Sequence, residues 1–177
     1  MLFRLRLFNR EIAINAATRP MRKTLVQAYT NRCHDGRYVL CLDYDRQPCE
    51  WIIEELRRLQ LDFQLSDFWL FESSPESYHA VCLDKLFYRE LIDIMRCTTI
   101  DERYTTVPTK YGKKVWSLRY SQKNGSSIRF VGRLRSNSTR EQSLAHSILL
   151  QKLYNIPMTE GIVTDNQIKM CLSTYKT

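Results

Sequence analysis

The sequence is poor in residues that interrupt regular structure. Five glycines and five prolines among 177 residues leave little room for linkers or low-complexity tracts, and no internal repeat is present. Apolar runs stop at about five residues, as in Tyr38 to Leu42, too short for a membrane-spanning helix. Histidine is scarce: His34, His79 and His146 lie far apart, so the paired-histidine metal site of a rolling-circle initiator is missing. None of the six cysteines forms a CxxC pair. Cys33-His34 with Cys41 and Cys49 has a spacing that suits no common zinc site, so small buried thiols in a reducing compartment are expected. The opening MLFRLRLFNR breaks its apolar residues with Arg4 and Arg6 and lacks a small-residue cleavage site. It does not read as a signal peptide, and a cytoplasmic protein is expected.

What is there is a foldable chain. Hydrophobic residues make up 44% and aromatics 11%, which excludes wholesale disorder. The length predicts one domain over 1–177, able to bury about 70% of its unfolded surface without a metal or disulfide.

The formal net charge of +8 hides a segregation. Residues 1–37 carry eight basic side chains and two acids, residues 38–109 seven and fourteen, and residues 141–177 three of each. Residues 110–140 carry nine basic side chains and no acid. Two basic segments therefore flank an acidic centre. A polyanion is drawn to the flanks and repelled by the centre unless cations neutralise it.

Periodicity predicts a strand over 2–8, a helix opened by Pro20 over Met21 to Ala28, and a buried strand over Arg37 to Asp43. Pro48 then sits at a first helical turn, and Trp51, Ile52, Leu56 and Leu59 form one helical face, with Glu54, Glu55, Arg57 and Arg58 largely opposite. Phe68 to Phe71 and Tyr78 to Leu83 read as strands joined by SSPES, and Lys85 to Met95 as a second helix. Val115 to Tyr120 and Ile128 to Val131 read as a hairpin around Lys123-Asn124-Gly125. Ser138 with Glu141 forms a capping box for a helix over about 138–155, and Pro157 ends the regular part. This order predicts an α+β fold, a mixed sheet covered by helices.

Four features carry chemistry. Asp43 and Asp45 stand at i and i+2 at the end of a predicted strand, so that both carboxylates point to one face. Such a pair suits a hard divalent cation, and two cations so held serve phosphoryl transfer. Ser77-Tyr78-His79 opens a strand, where a histidine can donate to phosphate, act as a base, or be a core side chain. Asp101 follows the second helix and precedes another extended stretch. Last, Arg119, Lys123 and Arg129 have Trp116, Tyr120 and Phe130 interleaved among them, a pattern that suits nucleotide or single-strand binding.

In order and spacing these features resemble the archaeo-eukaryotic primase superfamily, the primase-polymerases, whose acidic hDhD motif is followed by a helix, an sxH motif and a third acid with a basic sequel. YVLCLDYD is similar to the first motif, FESSPESYHAVCLD to the second, and IDERYTTVPTKYGKKVWSLRYSQKNGSS to the third and its sequel. The resemblance covers about residues 37–132. It departs at Ser74-Pro75-Glu76-Ser77, where an acid stands in a loop that often carries glycines and a basic residue.

The resemblance implies an RRM-like catalytic core and template-dependent nucleotidyl transfer, as a DNA primase or primase-polymerase replicating a small replicon such as a virus or plasmid. It implies Asp43, Asp45 and Asp101 as ligands of Mg²⁺ or Mn²⁺ and as the catalytic acids. Ser77, His79, Arg119 and Lys123 would bind the nucleotide, and Lys113, Lys114, Arg129, Arg133 and Arg135 the nucleic acid. The partners implied are a single-stranded DNA template, nucleoside triphosphates, and a helicase or other replication subunit, with no membrane. The alternatives are a basic single-strand-binding module or replication accessory subunit without catalysis, and a metal-dependent nuclease using the same carboxylates.

Overall fold

A computed structural model describes residues 2–7, 10–15, 27–110, 112, 114–122 and 127–156. The elements are β1 (Leu2–Leu7), β2 (Arg10–Asn15), β3 (Ala28–Thr30), β4 (Tyr38–Tyr44), α1 (Cys49–Phe63), β5 (Phe68–Ser74), β6 (Ser77–Leu86), α2 (Tyr88–Arg96), α3 (Glu102–Lys110), β7 (Ser117–Arg119), β8 (Arg129–Leu134) and α4 (Leu144–Tyr154). The fold is α+β, and every strand pairing among the described residues is antiparallel. Among the described residues, no helix is long and apolar enough to cross a membrane.

The described strands form three sheets: β1-β2, β3-β7, and a four-stranded sheet in the order β4-β6-β5-β8. Because β4 and β5 both run antiparallel to β6, they are parallel to each other, and α1 is the crossover between them. This is a split β-α-β unit with β6 inserted at its centre. The β5–β6 connection is a two-residue turn, Pro75-Glu76, with Ser74 opposite Ser77. Glu76 takes a positive φ of 58°, as the third residue of a type II turn after proline must.

Alternation along the strands gives the sheet two buried faces. Leu40, Leu42, Phe68, Leu70, Ala80 and Cys82 point towards α1 and α2, where they pack with Ile52, Leu56, Leu59, Leu91 and Ile94. Val39, Cys41, Trp69, Phe71, Val81 and Leu83 point the other way and pack with Tyr29, Leu118 and Leu150. Each fully buried aliphatic side chain contributes about 1.5–3 kcal/mol by leaving water. Asn31 joins the β3-β7 ribbon to the large sheet. Its side chain donates to Val39 O (3.2 Å) and accepts from Trp116 N (3.0 Å), while its backbone donates to Trp116 O and accepts from Val39 N.

Several expectations need correction. The Val115–Val131 hairpin does not exist as such: β7 pairs with β3 and β8 with β5, and the Lys123-Asn124-Gly125 turn lies outside the described residues. Of the helix expected over Met21 to Ala28, residues 21–26 lie outside the described residues, and Ala28 opens β3. The second helix begins at Tyr88 rather than Lys85, because β6 runs on to Leu86, which pairs with Tyr38.

Asp101 precedes a helix, α3, and not an extended stretch. Helix α4 starts at Leu144 rather than near Ser138. Residues 141–143 lie extended along β6, with Lys85 N donating to Glu141 O and Ser143 N to Leu83 O. Trp51 is not on the buried face of α1 but 68% exposed, whereas Glu55 is buried. The thiols of Cys33, Cys41, Cys49 and Cys82 are buried and Cys97 is exposed; Cys171 lies outside the described residues.

Candidate functional site

The site is built where β4 and β6 meet. Asp43 on β4 stands opposite His79 on β6, with Oδ1 and Nε2 3.4 Å apart. His79 is buried, and desolvation, reinforced by the nearby Arg119 cation, pulls its pKa down to about 4. The imidazole is therefore neutral at pH 7, so its approach to Asp43 is not an ion pair. His79 Nδ1 has no hydrogen-bond partner.

Arg119, at the end of β7, reaches the same end of the large sheet. It donates to Ser121 O (2.7 Å) and to Ser73 O (2.9 Å). Both acceptors are neutral carbonyls, so these bonds orient the guanidinium without neutralising it. Three tyrosine hydroxyls, of Tyr29, Tyr104 and Tyr154, are buried on this side of the sheet without hydrogen-bond partners. Burial pushes all three above the usual phenol range; the Cys41 sulfur adds to this at Tyr29 and Tyr104, whereas the Arg119 cation pulls Tyr154 part of the way back.

Asp43 also lines an open cleft of about 360 Å³ with Asp101, Arg103, Tyr104, Val115, Trp116 and Ser117. The Asp101 carboxylate has a second role at the start of α3. Its Oδ1 accepts from Arg103 N at 2.8 Å, and its backbone carbonyl accepts from Tyr104 N, as at a helix N-cap. The indole N–H of Trp116 donates to Tyr104 O (2.9 Å) and holds the opposite wall.

Side chains outside the four sequence features position this loop. Tyr44 donates to the buried Glu55 at 2.8 Å, and both Glu55 oxygens accept from Thr99 N (3.1 and 3.0 Å). Gln47 donates to Thr99 O (2.7 Å) and accepts from Thr99 Oγ1 (3.0 Å). The chain two residues before Asp101 is thereby tied to β4 and α1. Helical periodicity puts Glu55 on a solvated face of α1. Its burial follows from the position of residues 97–101, which that periodicity does not report.

The structure thus brings Asp43, His79, Asp101 and Arg119 to one end of the sheet. Asp45 is exposed and is not among the residues lining the cleft. Strand β4 ends at Tyr44, so the alternation expected to align Asp45 with Asp43 no longer applies. Ser77 is buried, and its Oγ accepts from Arg46 N at 3.4 Å, joining the two turns.

No family model, curated protein or solved structure matches the chain.

The expected nucleic-acid contacts are distributed elsewhere. Arg129 pairs with Glu72 (2.8 Å). Arg133 lies over Trp69, 4.4 Å from the ring centroid, and 3.3 Å from Asp67, which Arg135 approaches at 3.5 Å. All three belong to β8 or its end, across the sheet from β4. Lys114 extends its ammonium over Tyr88 at 5.3 Å. Lys113 and Lys123 lie outside the described residues.

Among the described residues, no group of three His, Cys, Asp or Glu side chains is close enough to hold a metal ion. An all-protein cage therefore does not fit. Asp43 and Asp101 both line the open cleft, and one or two carboxylates with water and phosphate oxygens is the shell that Mg²⁺ ordinarily takes.

Proposed function

We propose that the chain is a divalent-cation-dependent nucleotidyl transferase of the primase-polymerase kind on an RRM-like core, extending a strand on a single-stranded DNA template from nucleoside triphosphates. The observation that carries this reading is the convergence of Asp43, His79, Asp101 and Arg119, drawn from three separated motifs, at one end of one sheet. Asp43 and Asp101 would hold Mg²⁺ or Mn²⁺, which neutralises the triphosphate when bound. Arg119 offers a fixed cation to phosphate oxygens, and neutral His79 offers a hydrogen bond. With both oriented in advance, the protein contributes positioning and charge stabilisation. The setting is replication of a small replicon, with a helicase or other replication subunit as partner.

The test is primer extension on single-stranded DNA with labelled ribo- and deoxyribonucleotides and Mg²⁺ or Mn²⁺. Product is expected from the parent chain and about 100-fold less from Asp43→Asn. No product under any of these conditions, or equal product from the variant, overturns the reading.

One observation favours a second reading, a basic single-strand-binding module without catalysis: Asp101 Oδ1 already caps α3. That reading expects nucleic-acid affinity that survives chelation of all metals, with no product.

A further inference from the structure

A groove of about 800 Å³ lies beyond the opposite end of the large sheet, between the end of α1 and the segment after β8. The register fixes its distance from the cleft. Leu134, the last residue of β8, stands opposite Phe68, and Phe68 opposite Cys82, three residues along β6 from His79. At about 3.3 Å per residue the two sites are at least about 10 Å apart.

The groove is lined by Arg57, Arg135 and Arg140, with Gln60, Gln64 and residues 136–139, and no acid is among its lining residues. Arg135 approaches Asp67, and Arg133 approaches the same carboxylate, so this one negative charge is shared between two guanidinium groups; Arg140 pairs with Glu90 at 2.5 Å outside the lining, which leaves Arg57 and Arg135 as the arginines the proposal uses. The wall is held in shape. Arg57 donates to Arg135 O (2.8 Å), Ser138 Oγ to Gln64 O (2.6 Å), and Arg140 to Phe63 O (2.9 Å). Ser136 N donates to Asp67 (2.8 Å). No aromatic ring is among the residues lining the groove, so it has nothing on which to stack a base.

We propose that this groove binds the phosphodiester backbone of single-stranded nucleic acid, independently of base sequence and of metal. Arginine forks recognise phosphate oxygens, and the exposed Gln64 and Asn137 amides beside them supply neutral donors. The identity of the polyanion rests on the reading of the chain as a nucleic-acid protein, but catalysis at the cleft is not required. The groove gives the chain a second hold on a strand, away from the Asp43 end.

The experiment is fluorescence anisotropy of a labelled oligothymidylate with the full chain, in excess EDTA, over a range of salt. The Arg57→Gln/Arg135→Gln double variant is expected to bind about tenfold more weakly, with a slope of log affinity against log salt shallower by about 1.4, near 0.7 for each single-strand phosphate that is no longer neutralised. Arg135→Glu, whose side chain supports none of the hydrogen bonds described, is a second test: at least the same loss is expected, with unchanged circular dichroism. Parental affinity and slope in both variants overturns the proposal, as does failure of the parent chain to bind. Failure of primer extension with groove binding intact removes only the catalytic reading.

Discussion

Asp43 and His79 face each other across β4 and β6 at 3.4 Å, and the histidine is a liability to the fold. Its Nδ1 is buried without a hydrogen-bond partner, and an unsatisfied buried polar group costs about 1–3 kcal/mol. His79→Leu is therefore expected to melt at the same temperature as the parent or higher, while losing template-dependent synthesis. Calorimetry beside primer extension checks both. A clear drop in melting temperature would show that the imidazole supports the fold.

Asp101 combines a helix cap with a cleft carboxylate, and two substitutions separate the roles. Asparagine caps as well as aspartate but carries no charge, whereas alanine does neither, at about 1 kcal/mol. Asp101→Asn is expected to retain stability and lose metal-dependent synthesis, and Asp101→Ala to lose both. Equal melting temperatures for the two variants would argue against the cap.

Tyr44→Phe removes one donor to buried Glu55 and loosens the tie to Thr99. A stability loss of about 1–2 kcal/mol is expected, measured by urea unfolding, together with reduced synthesis although residue 44 does not line the cleft. Normal synthesis in the variant would mean that the 97–101 segment is held by other interactions.

Acid stability should depend on Asp35 and Glu141, which share Arg37 and Lys85. Hydrogen bonds from Arg37 and Lys85 hold the Glu141 carboxyl at about 2, and those from Arg37 chiefly hold Asp35 well below the usual carboxylate range. Both groups bind protons more readily when unfolded. Their contribution is complete above about pH 4.5 and declines as pH falls from there through 2 and below. Melts from pH 7 to pH 3 should show a shallower decline for Asp35→Asn/Glu141→Gln than for the parent. Parallel curves would remove this cluster from the acid response.

Local elements are readable from the sequence. The apolar run that ends at Asp43, the face of α1 carrying Ile52, Leu56 and Leu59, and the turn signal between β5 and β6 all act between near neighbours, and the corresponding elements form. What escapes is set by distant partners. Ser117–Arg119 pairs with Ala28–Thr30, so adjacency to Ile128 misleads. The Ser138–Glu141 box loses to hydrogen bonds that draw residues 141–143 along β6 and to ion pairs that draw in Glu141. In the site, Asp43, His79 and Arg119 follow from motif order. The supporting Glu55, Gln47 and Asn31 have no signal, because their roles depend on which loop comes to lie beside them.

The central place of β6 in the sheet order has a consequence for synthesis on the ribosome. Strand β4 and helix α1 emerge first, but β4 has no partner in the large sheet until residues 77–86 follow. The β5–β6 hairpin closes over a two-residue turn and is a local, fast event. Docking β4 onto it closes a much longer loop. Asp43 and His79 therefore meet only at that non-local step, and a nascent chain that has displayed its acidic motif does not yet possess the cleft.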